Sequence, residues 1–226
     1  MRTLTKEMQA QLSPAKALEL LKEGNKRFVN NLKVNRNLLQ QVNETAEGQY
    51  PFAFILSCID SRTSAELIFD QGLGDIFSCR IAGNVLNQDI LGSMEFACKI
   101  AGSKIIVVLG HTRCGAVKGA CDDMQMGHLS TLLEKVKPAV NAESTTTENR
   151  NSANSSFVEN VAKLNVRHTL NQIPQQSPIL AELIQHGKVV LIGAMYNVET
   201  GQVEFYENEI IGGDGVVLEK LKMEVA

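Results

Sequence analysis

The sequence predicts an α/β fold in which helices flank a mainly parallel β-sheet. Three short runs, 52–57, 104–109 and 188–195, are almost continuously apolar, as strands buried on both faces are. Helical patterns alternate with these runs, and the connections between them are short. A length of 226 residues suits one large domain, so we expect a single domain over residues 1–226.

The composition is that of a globular protein and excludes several functional classes. Hydrophobic residues make up 44% of the chain and charged residues 21%, and the net charge is −3. This charge argues against a broad basic surface for nucleic acid and against a polybasic membrane anchor. No apolar run approaches the roughly 18 residues of a membrane span, and no secretory signal is evident. We therefore expect a cytoplasmic location, where five scattered cysteines suit buried, metal-binding or catalytic roles.

Residues 1–48 are predicted to form an N-terminal helical arm. Ser13 and Pro14 provide a helix cap followed by proline in the first helical turn. Apolar residues at helical spacing then continue over 17–28, and a more polar helix is predicted over 34–46. We expect the apolar stripe of 17–28 to pack on a second copy of the chain.

After the first strand, the chain alternates between helical and extended patterns. Residues 64–70 are typical of a short helix, which ends near a Gly-Leu-Gly sequence. A second strand is predicted over 76–82, and apolar residues recur at helical spacing over 87–101. The richest run of β-branched residues, 104–109, indicates a central strand.

The second half of the chain continues the same alternation. Helices are predicted at 114–122, 129–141 and 157–173, and strands at 188–195 and 203–206. The intervening segment 144–156, STTTENRNSANSS, is polar and predicts an exposed loop within the domain.

Two of the predicted strands end in unusual polar sequences. The first strand leads into Ser-Cys-Ile-Asp-Ser-Arg at 57–62, and the strand at 104–109 leads into Gly-His-Thr-Arg-Cys at 110–114. The carboxyl ends of neighbouring parallel strands meet at one edge of a sheet, where ligands bind. Cys58, Asp60, His111 and Cys114 would then converge. Two thiolates, one imidazole and one carboxylate form a tetrahedral zinc set, so we predict a zinc site.

The segment from residue 58 to residue 120 closely resembles the β-class carbonic anhydrases. The matching strings are CIDSRTSAELIFDQGLGDIF, RIAGN, DILGSMEFA and VVLGHTRCGAVKGA, and weaker similarity extends over most of 13–206. The paired CxDSR and GHxxCGA motifs are specific to that family. The resemblance implies a parallel α/β sheet and an N-terminal arm that packs on a second subunit. It also implies a dimer, often paired into a tetramer.

The resemblance assigns roles to seven residues. It implies zinc binding by Cys58, His111 and Cys114, catalysis by Asp60 and Arg62, and a substrate cleft containing Gln49 and Phe77. The implied reaction is hydration of carbon dioxide to bicarbonate and a proton by a zinc-bound hydroxide. A bidentate pair with Arg62 would hold Asp60 off the metal, so that Asp60 orients the hydroxide. If the pair breaks, Asp60 can itself become the fourth ligand.

Other interpretations remain open on the sequence alone. The same scaffold and ligands suit a carbon disulfide-type hydrolase, and also a non-catalytic zinc- or bicarbonate-binding regulator with Asp60 on the metal. Ile55 stands where the bicarbonate-regulated branch of the family has Trp, which argues against that branch's inhibitory pocket. The remaining cysteines are expected to be buried hydrophobic residues, although Cys121 lies two helical turns after Cys114.

Overall fold

A five-stranded sheet forms the centre of the computed structural model, which describes residues 3–213. The strands are β1 (Ala53–Ser57), β2 (Ile76–Arg80), β3 (Ile105–His111), β4 (Val190–Tyr196) and β5 (Val203–Phe205). Their order is β2-β1-β3-β4-β5, with β1 to β4 parallel and β5 antiparallel to β4. The predicted mainly parallel sheet is confirmed. Those parts of the expected domain that fall on residues 1, 2 and 214–226 lie outside the described residues.

Helices cover both faces of the sheet. They are α1 (Lys6–Gln11), α2 (Pro14–Val29), α3 (Leu38–Glu44), α4 (Ala65–Ile68), α5 (Gln88–Glu95), α6 (Gly115–Cys121), α7 (Gly127–Glu134), α8 (Lys137–Ala142), α9 (Ser155–Gln176) and α10 (Pro178–Gln185). One apolar layer packs α2 and α4 on the sheet, and the other packs α5, α6, α8, α9 and α10 on the opposite face. Every residue of β1, β3 and β4 is buried, as their continuous apolar sequences predict. Within residues 3–213, no helix has the length and apolar character needed to cross a membrane.

One predicted helix differs from the structure, and two helices of the structure were not predicted. The helix predicted over 129–141 is divided into α7 and α8, because Pro138 has no N–H to donate to the Glu134 carbonyl. Helix α10 was not predicted, although Ser177 and Pro178 repeat the capping sequence that marks α2. Helix α1, which begins after Thr5, was also not predicted.

The apolar stripe of the N-terminal arm packs on the sheet of its own chain. Ala17, Leu18 and Leu21 of α2 are at most 7% exposed and belong to the layer that also contains β3 and α4. The expectation that this stripe faces a second copy is therefore wrong, because the sheet face needs α2 as its cover. The exposed apolar residues of the arm include two neighbours on α3, Leu38 at 56% and Leu39 at 72% exposure.

The polar segment 144–156 connects α8 to the start of α9. Arg150 holds it against the end of α8, since its guanidinium donates to the Glu143 carboxylate at 2.8 Å and to the Val140 carbonyl at 2.8 Å. Burial opposes the ionisation of Glu143, but hydrogen bonds from Thr145, Thr146 and neighbouring groups outweigh it and lower the Glu143 pKa to about 2. The segment is thereby fixed by specific contacts on α8.

Replacing Gly110 by Ala should destabilise the protein by about 1–3 kcal/mol. A Cβ at Gly110, at the end of β3, would lie 2.6 Å from Val166 Cγ2 on α9 and 2.7 Å from Met195 Sδ on β4. The stiff Val166 side chain cannot yield without moving α9. Urea unfolding measures the change. The control is Gly92→Ala in α5, where a Cβ meets nothing within 4 Å and alanine should stabilise the helix by up to about 1 kcal/mol. A Gly110→Ala variant as stable as the unmodified protein would contradict this tight packing.

Candidate metal centre

The ends of β1 and β3 bring three potential metal ligands together. The two strands pair in parallel with Ser57 opposite Leu109, so the residues that follow them lie at one edge of the sheet. Cys58, His111 and Cys114 are all buried there, and their ligand atoms lie within 4.8 Å of one another. The two sulfur atoms are 3.9 Å apart.

This donor set fits a zinc ion. A tetrahedral zinc with Zn–S bonds of about 2.3 Å separates two sulfur ligands by about 3.8 Å, close to the distance between Cys58 and Cys114. His111 Nδ1 lies 2.9 Å from the Thr112 carbonyl oxygen, which can only accept, so Nδ1 carries the proton. Its Nε2 atom is buried without a hydrogen-bond partner among the described residues, and its lone pair is available to a metal.

The two thiols have opposite ionisation tendencies. The pKa of Cys58 is lowered, first because the Cys114 thiol donates to it and also by the Gly83 N–H, against the opposing effect of burial. The same contact with Cys58, together with burial, raises the pKa of Cys114. Cys58 is therefore the first of the two to ionise, and it is the thiolate form that binds metal.

Asp60 lies beside this group in a bidentate pair with Arg62. Arg62 Nε donates to Asp60 Oδ1 at 2.9 Å and Nη2 to Oδ2 at 2.8 Å, and the Arg62 backbone N–H also donates to Oδ1. These bonds hold the pKa of Asp60 well below its usual range, against a smaller opposing effect of burial. The group of three buried ligands does not include Asp60, since both of its carboxylate oxygens are directed to Arg62.

The loop that carries these residues is fixed by two further side chains, which sequence analysis missed. Thr63 Oγ1 donates to the carbonyls of Cys58 and Asp60, both at 2.9 Å. Arg80 Nε donates to the Cys58 carbonyl at 3.1 Å from the end of the neighbouring strand β2. The register that places Arg80 opposite Ser57 could have indicated this role, but only once β1 and β2 were known to be neighbours.

A largely apolar cavity of about 260 Å³ adjoins Cys58 and Asp60. Its walls include Ile59, Ala116, Leu129 and Leu133. The cavity therefore offers space for a small apolar molecule beside the candidate metal ligands.

The structure does not place Gln49 or Phe77 in that cavity. Gln49 is exposed in the segment before β1. Phe77 lies on β2 with its ring edge-on to Phe96, and both line a separate cavity of about 650 Å³. A role of Gln49 and Phe77 in a substrate cleft, which the resemblance implies, therefore stays a prediction.

The other cysteines are not part of the group. Burial raises the pKa of Cys98 to about 12 and that of Cys121 to about 11, and it also raises the pKa of Cys79. Cys121 follows Cys114 by two turns, but among residues 3–213 the group of possible ligands holds only Cys58, His111 and Cys114.

Comparison with known proteins gives a consistent family assignment. The carbonic anhydrase family model matches residues 53–203. The chain is 35% identical over 198 residues to carbonic anhydrase 2 of Mycobacterium tuberculosis, covering 84% of this chain and 91% of that protein. The β-carbonic anhydrase of Coccomyxa, solved with acetazolamide, aligns with a TM-score of 0.71 and 21% identity over 92% of this chain and 96% of that chain. A structure from a study of two tetrameric β-carbonic anhydrases of Sordaria macrospora aligns with a TM-score of 0.64 and 23% identity over 85% and 94% of the two chains. The chain therefore belongs to the β-carbonic anhydrase family of enzymes.

Proposed function

We propose that this protein catalyses the reversible hydration of carbon dioxide to bicarbonate and a proton, with a zinc ion held by Cys58, His111 and Cys114. The observation that carries the proposal is the convergence of these three buried side chains beside the Asp60–Arg62 pair. Membership of the carbonic anhydrase family supports the proposal. The resemblance of the two motifs to that family implies the same combination of residues.

Each residue of the site has a distinct task in this proposal. When bound, zinc supplies the Lewis-acid chemistry that makes water nucleophilic near neutral pH. Asp60 accepts a hydrogen bond from the attacking water. This bond directs a lone pair of the water oxygen towards the carbon of carbon dioxide. Arg62 keeps Asp60 ionised and fixes the orientation of its carboxylate. The apolar cavity beside Cys58 receives the apolar substrate.

Two alternatives are distinguished by features of the same site. A carbon disulfide-type hydrolase would use the same ligands, and the cavity of about 260 Å³ would accept either small linear molecule. A non-catalytic zinc- or bicarbonate-binding regulator would hold Asp60 on the metal. The bidentate pair with Arg62 favours a catalytic role over the regulator, since it leaves Asp60 ionised and outside the group of three ligands.

Metal analysis of the purified protein, paired with stopped-flow assays of both substrates, tests the proposal. We expect one zinc per chain and rapid hydration of carbon dioxide. Zinc with hydrolysis of carbon disulfide alone would favour the hydrolase, and zinc with neither activity would favour the regulator. Absence of bound metal from protein purified with zinc present would overturn the proposal.

The proposed active form is a dimer or a tetramer. Leu38 and Leu39 leave an apolar surface on α3 in the single chain. Gln49 and Phe77 do not line the cavity beside Cys58, so a second copy could complete the substrate cleft.

Replacing Leu39 by Glu should shift the assembly towards monomers, because it places a charge in the apolar surface of α3. Sedimentation velocity at micromolar concentration measures the change. Ile179→Glu is the control, since Ile179 is also an exposed apolar residue but lies on α10, and this variant should sediment like the unmodified protein. A protein that is already monomeric without substitution would contradict the proposed assembly.

The proposed location is the cytoplasm. All five cysteines are free thiols, which is the state expected in a reducing compartment. Cell fractionation with an antibody against the chain tests this location, and recovery mainly outside the cytoplasmic fraction would contradict it.

A further inference from the structure

A backbone hydrogen bond connects the turn at Ala82–Asn84 to one of the candidate metal ligands. The Gly83 N–H donates to Cys58 Sγ at 3.4 Å, and both residues are buried. A hydrogen bond to a ligating atom fixes its direction and adjusts how much charge it donates to a metal. The orientation of the Gly83 peptide therefore bears directly on Cys58 as a ligand.

Helix α9 holds this turn from the other side. Asn165 Nδ2 donates to the Gly83 carbonyl at 2.8 Å, and one helical turn later Thr169 Oγ1 donates to the Asn84 carbonyl at 3.3 Å. Asn165 is only 1% exposed. Gly83 has a φ of +70°, a conformation that glycine adopts readily, so external contacts are needed to fix the turn in one orientation.

The position of Asn165 is itself set by the packing of α9 on the sheet. Its neighbour Val166 lies against Gly110 and Gly193, so closely that a Cβ on either glycine would come within 2.8 Å of the Val166 side chain. This contact leaves little freedom for the backbone that carries Asn165. A continuous series of contacts thus leads from the sheet through α9 and the turn to Cys58.

We propose that Asn165 is a positioning residue for the metal ligand Cys58, acting through the Gly83 peptide. The inference rests on the proposed metal site and adds a residue that touches neither metal nor substrate. If Asn165 merely satisfied a buried carbonyl, its loss would lower stability and leave the metal–thiolate bond unchanged. A positioning role requires that the bond itself changes.

The first test replaces Asn165 by Ala and measures zinc affinity by competition with a chelator. We expect binding weaker by up to about 10- to 100-fold, the usual effect of losing an outer contact of a ligand, because a misdirected Gly83 peptide would no longer donate to Cys58. In the cobalt-substituted protein, the thiolate-to-metal charge-transfer band should shift. The control is Ile173→Ala on the same helix, which removes a buried apolar side chain and should lower stability while keeping the affinity and the band. Unchanged affinity and band in Asn165→Ala would overturn the proposal.

The second test uses the unmodified chain and does not depend on a variant that folds. Protein labelled with the NMR-active isotopes of nitrogen and cadmium, with cadmium as the bound metal, should show scalar coupling between the metal and the Gly83 amide proton through the Cys58 sulfur. Bound cadmium without this coupling would overturn the inference and leave the proposed function standing. If the unmodified chain binds neither zinc nor cadmium, both proposals fail.

Discussion

Replacing either Cys58 or Cys114 by Ser is expected to remove the metal and to lower carbon dioxide hydration by at least about 10³-fold. Changes to the outer contacts of a metal ligand alone lower metal affinity or activity by about 10- to 100-fold, and loss of a direct ligand should lower them further. A serine hydroxyl is not ionised near neutral pH and is a poor ligand for zinc, whereas a cysteine thiolate is a strong one. Only one sulfur would then remain beside His111.

Cys121→Ser is the matched control for this experiment. Cys121 is also a buried cysteine, on the same α6 segment that follows Cys114, but it lies outside the group of three ligands. We expect this variant to keep one zinc per chain and near-normal activity, with a small loss of stability. Zinc content after gel filtration and stopped-flow hydration measure both properties. Full zinc retention in both Cys58→Ser and Cys114→Ser would exclude the proposed ligand set.

The sequence predicts the sheet and the metal group for the same physical reason. Strands buried on both faces must be apolar throughout, so β1, β3 and β4 are recognisable as short continuous runs. Polar residues directly after such runs then lie at the carboxyl edge of the sheet. Cys58 and His111 could be placed together on this basis, because their strands are neighbours.

Features that depend on which surfaces meet could not be predicted in this way. The spacing of Ala17 and Leu21 shows that one face of α2 is buried, but it does not show whether the sheet of the same chain or a second chain covers it. Periodicity also cannot detect the contact between Asn165 and Gly83, since the two residues are 82 positions apart and the contact needs the tertiary fold. Gln49 and Phe77 were placed by resemblance alone, and their contribution to the site remains a prediction.

The substitution Arg62→Ala tests the mechanism and should lower carbon dioxide hydration about 10³-fold while zinc stays bound. Arg62 lowers the pKa of Asp60. The ion pair between Asp60 and Arg62 is therefore fully formed above the ordinary pKa of a carboxyl group, and it is lost only as the pH falls through the lower pKa that Asp60 has in the folded protein. Without Arg62, the Asp60 pKa should return towards about 3.9, and the carboxylate is still an anion at about pH 7. The loss of activity would therefore come from lost orientation and not from protonation. The freed carboxylate can then reach the metal and occupy the position that the attacking water needs.

Asp60→Asn separates orientation from charge at the same position. The amide should leave the site open, but it is a weaker acceptor and should orient the attacking water poorly, so activity should also fall. Crystal structures of the zinc-loaded variants should then differ, with Asp60 on the metal in Arg62→Ala and the substituted amide away from the metal in Asp60→Asn. The control is Arg167→Ala, which breaks a bidentate pair of the same geometry with Glu209, at 2.7 and 2.8 Å, outside the site and should retain activity. An Arg62→Ala variant with near-normal turnover and Asp60 away from zinc would show that the Asp60–Arg62 pair is only a structural ion pair.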